Sequence, residues 1–122
     1  MKVERLIRII SLKNQAVISE KCHVAECFWN RLKGLIGKST WSPGEGMLFP
    51  ECRSIHMWFM RVPIEVVFLN EGRVTSLWRN VKPWRLVPVV DFRARDVLEL
   101  PPGTIDRSKL EVGDRVECLS LP

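Results

Sequence analysis

Residues 64 to 78 read Ile64-Glu65-Val66-Val67-Phe68-Leu69-Asn70-Glu71-Gly72-Arg73-Val74-Thr75-Ser76-Leu77-Trp78. An apolar, β-branched run meets Asn-Glu-Gly, which supplies the glycine a tight turn needs, and a second run returns from it. The pattern predicts a strand over 64–70, a turn, and a strand over 73–78. Alternation puts Glu65, Val67 and Leu69 on one face and Ile64, Val66 and Phe68 on the other. A sheet covered on one side only would leave Glu65 in water. If both faces are covered, the carboxylate must meet a cation or several hydrogen-bond donors, because burying it alone costs several kcal/mol. Arg61 and Arg31 are the first cations to consider.

Working outward, residues 52–60 form another apolar run, separated from 64–70 by Val62-Pro63, where proline marks a strand start or bulge. Upstream, residues 3–12 and 16–22 are rich in Ile, Leu and Val and flank the polar turn Lys13-Asn14-Gln15, which predicts a hairpin. Phe28, Leu32, Leu35 and Ile36 recur at spacings of three and four, predicting the main helix over about 25–35, ended near Gly34 or Gly37. Residues 38–45 read as a loop and 46–50 as a short buried strand. Downstream, Pro83 and Pro88 make 81–90 an irregular or edge segment, and Val97–Leu100 is a strand closed by Pro101-Pro102-Gly103. Thr104 is placed to cap a short helical turn through Leu110. A turn at Val112-Gly113-Asp114 then precedes a last strand over 115–119. Short strands with one main helix define an α+β fold, a small, mostly antiparallel β-barrel or curled sheet.

The chain has 122 residues, 46% hydrophobic and 27% charged, with a mean hydropathy near zero. Those values suit one globular domain over 1–122, able to bury roughly two thirds of its unfolded surface without metal or disulfides. The first ten residues interrupt their apolar positions with charges, unlike a signal peptide, and no apolar stretch approaches a membrane span. The expectation is a cytoplasmic protein with no membrane partner. Its cysteines, Cys22, Cys27, Cys52 and Cys118, are then expected as reduced, mostly buried thiols.

Three sets of residues carry candidate chemistry. The first is central: between Ser54 and Leu69 a histidine (His56), an arginine (Arg61) and a carboxylate (Glu65) stand among nearly continuous apolar residues. With Arg31 and Glu99 they are predicted to form a polar cluster at the mouth or interior of the barrel. That cluster would bind a small polar or anionic ligand, or a protein. An enzyme reading would make His56 or Glu65 the general base of a hydrolase, but no activated nucleophile or standard catalytic motif accompanies them. The second set is basic. Residues 73–95 hold Arg73, Arg79, Lys82, Arg85, Arg93 and Arg95 against Asp91 alone, which accounts for the whole net charge of +5. Interleaved with Trp78, Trp84 and Phe92, they form a candidate nucleic-acid or polyanion surface. The third set, Cys22, Cys27 and Cys52 with His23 or His56, invites a zinc ion by ligand count only. In a strand Cys52 and His56 are about 13 Å apart, so no metal and no cofactor are expected.

Several of these pieces together resemble the domain of unknown function 192 family. The pieces are Arg31-Leu32-Lys33-Gly34-Leu35, Gly46-Met47-Leu48-Phe49, Ser54-Ile55-His56, Met60 through Leu69, Gly72-Arg73-Val74, Val97 through Thr104, and Val112-Gly113-Asp114. The resemblance spans about residues 25–118. It implies a compact β-rich fold with a short helix and brings no established activity. The family pattern usually has Asp where this chain has Glu65, and a smaller residue or Phe where it has Trp58. Many members of that family carry an export signal; the charge-interrupted start of this sequence leads us to expect none here, so the resemblance does not imply an extracytoplasmic role.

Overall fold

The computed structural model describes residues 5–24, 41–55, 62–83 and 87–121. Nine strands lie within them: β1 (Arg5–Ser11), β2 (Val17–Val24), β3 (Glu45–Phe49), β4 (Ser54–Ile55), β5 (Ile64–Asn70), β6 (Arg73–Val81), β7 (Val89–Val90), β8 (Asp96–Leu100) and β9 (Val116–Ser120). One short helix, α1 (Thr104–Ser108), follows β8. The main helix expected over 25–35 lies outside the described residues.

Seven strands form one sheet in the order β6-β5-β8-β3-β2-β1-β9, and β4 pairs with β7 apart from it. Every pairing in the large sheet is antiparallel except β2 with β3. Two register shifts within the β1–β2 pairing add local bend and twist, as bulges do. The sheet curls until its two edge strands meet at one end. There Arg73 and Arg115 form an isolated bridge, Val74 N–H donates to Asp114 O at 2.9 Å, and Val116 N–H donates to Gly72 O at 2.8 Å. The result is the curled sheet expected from the sequence, in half-barrel form.

The β5–β6 hairpin is the device that permits this closure. Asn70 pairs with Arg73, so the loop is the two residues Glu71 and Gly72, with φ of 50° and 80°. Two left-handed residues match the twist of the strands they join. Gly72 has a second reason to lack a side chain, because a Cβ there would stand 3.1 Å from the Val116 carbonyl of β9.

The sheet carries a core on each face. The inner core takes residues from all seven strands, among them Ile9, Ile18, Val67, Leu98 and Val116, and α1 adds Ile105. The outer core lies over β3, β5 and β8, with Phe49, Val66, Phe68 and Val97, and is joined by Ile55 of β4 and Val89 of β7. Residues 64–69 are therefore buried on both faces, and the one-sided arrangement that would have exposed Glu65 does not occur.

At α1 the capping expectation is corrected. Gly103, in the left-handed region at φ 90°, stands at the N-cap, and Thr104 is the first helical residue. Thr104 Oγ1 instead donates backward to Pro101 O at 2.8 Å.

Candidate functional site

Glu65 projects from β5 to the inner face, beside its cross-strand partner Leu100. It is 4% exposed. Its Oε2 accepts the Gly103 N–H at 3.0 Å and its Oε1 accepts the Ile105 N–H at 2.8 Å. No side chain caps α1 from within its own turn, so a strand carboxylate satisfies the N–H groups that a helix start leaves open. Of the two partners expected for a buried Glu65, a cation or several donors, the structure supplies the donors.

Glu99 lies on the opposite face. On β8 it pairs with Val66 on one side and Met47 on the other. Beyond Val66 stands Trp78, and beyond Met47 stands His23, so a lateral row crosses five strands with Glu99 at its centre. At the usual strand spacing the His23 and Trp78 backbones each lie roughly 10 Å from that of Glu99. Glu99 is 1% exposed, while Trp78 and Trp41 pack, half-buried, against the same outer core. His23, Trp41, Trp78 and Glu99 each make a further polar or ring interaction as well. The row is a carboxylate flanked by a thioether and a valine, with an indole and an imidazole at its ends.

The five-residue cluster expected from the sequence therefore divides. Glu65 and Glu99 are brought to adjacent strands but opposite faces, because Glu65 is level with Leu100 and Glu99 with Val66. This corrects their placement in one cluster. Arg31, His56 and Arg61 lie outside the described residues. The row also contains two residues that the sequence did not assign to it: His23, considered only as a metal ligand, and Trp78, assigned to the basic surface. Cross-strand register places them there, and no local pattern carries that register.

Among the described residues the basic set is divided among separate partners. Arg79 pairs with Asp106 of α1 at 3.0 Å. Arg93 pairs with Asp91 at 3.1 Å, and Arg95 with Glu71 at 3.6 Å. Arg73 Nη1 donates to Gly113 O, Lys82 is exposed, and Trp78 belongs to the outer core. Arg85 and Trp84 lie outside the described residues. A surface groove of about 500 Å³ beside α1 is lined by Lys13, Arg79 and Lys109, of which Lys13 is engaged by Glu111 and Asp114 and Arg79 by Asp106.

Asp91 anchors the turn that follows β7. Burial opposes its charge, but the Ser76 and Thr75 hydroxyls each donate to Oδ2 at 2.7 Å and Arg93 donates through its backbone N–H and Nε. The hydrogen bonds outweigh burial and hold the carboxyl well below the usual carboxylate range.

The cysteines separate by environment. Cys22 is free within the inner core, and burial pushes its thiol far up. Cys118 is free and exposed. Cys52 is disulfide-bonded, which corrects the expectation of four reduced thiols. A bridge depends on two thiols meeting in the fold, which the N-terminal sequence does not govern. Among the described residues no group of three or more His, Cys, Asp or Glu side chains is placed to hold a metal ion. No helix among them is long and apolar enough to cross a membrane.

Among the described residues, a curled, two-cored β half-barrel with one short helix defines the structural class. The chain belongs to the domain of unknown function 192 family, described as "Uncharacterized ACR", whose sequence profile matches residues 9–118. A UPF0127 protein of Thermococcus sibiricus is 30% identical over 113 residues, covering 89% of this chain and 73% of that protein. A Pyrococcus abyssi UPF0127 protein is 32% identical, covering 82% and 87%. Among solved structures, a Sinorhizobium meliloti chain described as a candidate transcription regulator aligns with a TM-score of 0.76 at 27% identity. That alignment covers 95% of this chain and 94% of that one. A Novosphingobium aromaticivorans protein of unknown function shares the fold, with a TM-score of 0.77 at 22% identity over 93% of this chain and 84% of that one.

Proposed function

We propose that this protein is a non-catalytic binding module that takes a small polar ligand on the outer sheet face at Glu99. The observation that carries this reading is a carboxylate, 1% exposed, at the centre of a row ending in His23 and Trp78. A core built only for stability gains little from a buried charge, and such groups concentrate at functional sites. Arg31, His56 and Arg61 complete the proposal as the cationic and imidazole complement drawn from sequence. Glu65 leaves it, because both its oxygens are held by backbone N–H groups of the α1 start. The same two bonds argue against Glu65 as a general base.

A thermal-shift screen of amines, carboxylates, sugars and nucleotides tests the proposal, with wild type and Glu99→Gln run side by side. Ligand at a hundredfold excess over Kd stabilises by about 2.7 kcal/mol. At least one compound class is expected to raise the wild-type Tm and to leave that of a folded Glu99→Gln unchanged. A screen in which nothing shifts the wild type, or in which the shift survives the substitution, rejects the reading.

A further inference from the structure

Phe92 is 83% exposed, the most exposed large hydrophobic residue among those described. It is nevertheless held firmly. Asp91 on one side accepts the hydroxyls of Thr75 and Ser76 and the Arg93 N–H. On the other side Ala94 N–H donates to Asp91 O, Arg95 N–H donates to Leu69 O, and Asn70 Nδ2 donates to Arg93 O. The bonds hold the backbone that carries the ring, so binding there need not order the turn, which lowers the cost of using an exposed aromatic as an anchor.

Four exposed arginines are tied to this same end of the sheet. Arg93 and Arg95 are in the turn itself, and Arg53 Nε donates to Ala94 O at 2.9 Å. Arg73 pairs with Asn70, whose side chain holds the turn. Four acids among the described residues stand at the same end: Asp91, buried and bonded to the Arg93 guanidinium, Asp96, which follows Arg95 and accepts the Glu51 N–H, Glu51 itself, and Glu71, whose 3.6 Å contact with Arg95 is an exposed pair of small worth. The cations are all guanidinium groups, whose planar donor forks match phosphate oxygens and stack on π systems.

We infer that the Phe92 turn, with Arg53, Arg73, Arg93 and Arg95 around it, is a docking surface for single-stranded nucleic acid. A base stacks on the Phe92 ring while the arginines take the flanking phosphates. This surface is separate from the outer-face row at Glu99. It is a smaller set than the basic track expected from sequence: Arg79 is on α1's side, bonded to Asp106, and each arginine kept here uses part of its donor fork within the protein, Arg93 on Asp91, Arg95 on Glu71, Arg73 on Gly113 O and Arg53 on Ala94 O. One ring among guanidinium groups suits a base, which offers a π face, better than a lipid surface, which rewards several inserted apolar side chains.

The test is fluorescence anisotropy of a labelled short oligo(dT) against wild type, Phe92→Ala, Phe92→Trp and Glu99→Gln. Binding is expected to weaken about tenfold in Phe92→Ala and to be kept in Phe92→Trp and Glu99→Gln. With about three phosphates neutralised, affinity is expected to fall about tenfold to twentyfold between 50 and 200 mM salt. Vesicles of phosphatidylcholine and phosphatidylserine are sedimented with the same proteins. Absence of oligonucleotide binding at low salt overturns the inference. Equal binding by Phe92→Ala overturns it too, since attraction to the net charge alone then accounts for the signal. Phe92-dependent binding to vesicles without binding to oligo(dT) assigns the surface to membrane instead.

Discussion

Glu65 Oε1 accepts the backbone N–H of Ile105 at 2.8 Å across forty residues of chain, fastening the start of α1 to the middle of β5. With the Gly103 bond this supplies what a five-residue helix lacks locally, since so short a helix is unstable alone and has no side-chain cap in its own turn. The helix then places Ile105 in the inner core.

Glu65→Gln keeps the volume of this side chain but removes one acceptor and turns an amide N–H toward a backbone N–H. The expected cost is about 1–3 kcal/mol, the range for a buried group left without its bond. Urea denaturation is the measurement. Hydrogen exchange should locate the loss, with the amides of Gly103 and Ile105 losing protection before those of β5. Unchanged stability and protection would contradict the cap.

Asp91 provides a pH-dependent counterpart. Its folded carboxyl is held below its ordinary value of about 3.9, so its contribution is present above that pH and fades as pH falls through the folded value. Asp91→Asn is expected to cost about 1–3 kcal/mol at neutral pH. Its deficit relative to wild type should shrink steadily below about pH 4, where the carboxyl of the unfolded wild type takes up a proton that the folded one still resists. Denaturant midpoints of both proteins across this range check the sign; a deficit that grows on acidification contradicts it.

Gly72 and Gly113 both adopt left-handed φ, at 80° and 94°, but only Gly72 has backbone within reach of an added Cβ, the Val116 carbonyl at 3.1 Å. Gly113→Ala should therefore show the conformational cost alone, about 1 kcal/mol, whereas Gly72→Ala should cost about 1 kcal/mol more by crowding the β6–β9 closure. Paired thermal or urea melts measure the difference. Equal losses would mean that the closure yields without cost.

Much of the strand framework was legible because it rests on local chemistry. The β5–β6 hairpin follows from a β-prone run, Asn-Glu-Gly and a second run, and the first hairpin follows from the polar turn at Lys13–Gln15. Cap identity at α1 was not legible. Thr104 has the right side chain, but the N-cap position is taken by Gly103, and the capping oxygens come from Glu65 of a distant strand. The need of Glu65 for donors could be argued from its neighbours; the source of those donors could not.

By itself the sequence determined which segments are extended, where the chain must turn, and that Glu65 and Glu99 are charges set in apolar strands. Tertiary structure alone decided that these two carboxylates face opposite cores, that His23 and Trp78 share a row with Glu99, and that Arg53 and Arg73 come to the turn that carries Phe92. The physical reason is that turns and alternation are governed by adjacent residues. Facing and neighbourhood depend on register between strands distant in the chain, and a shift of one residue reverses every side chain.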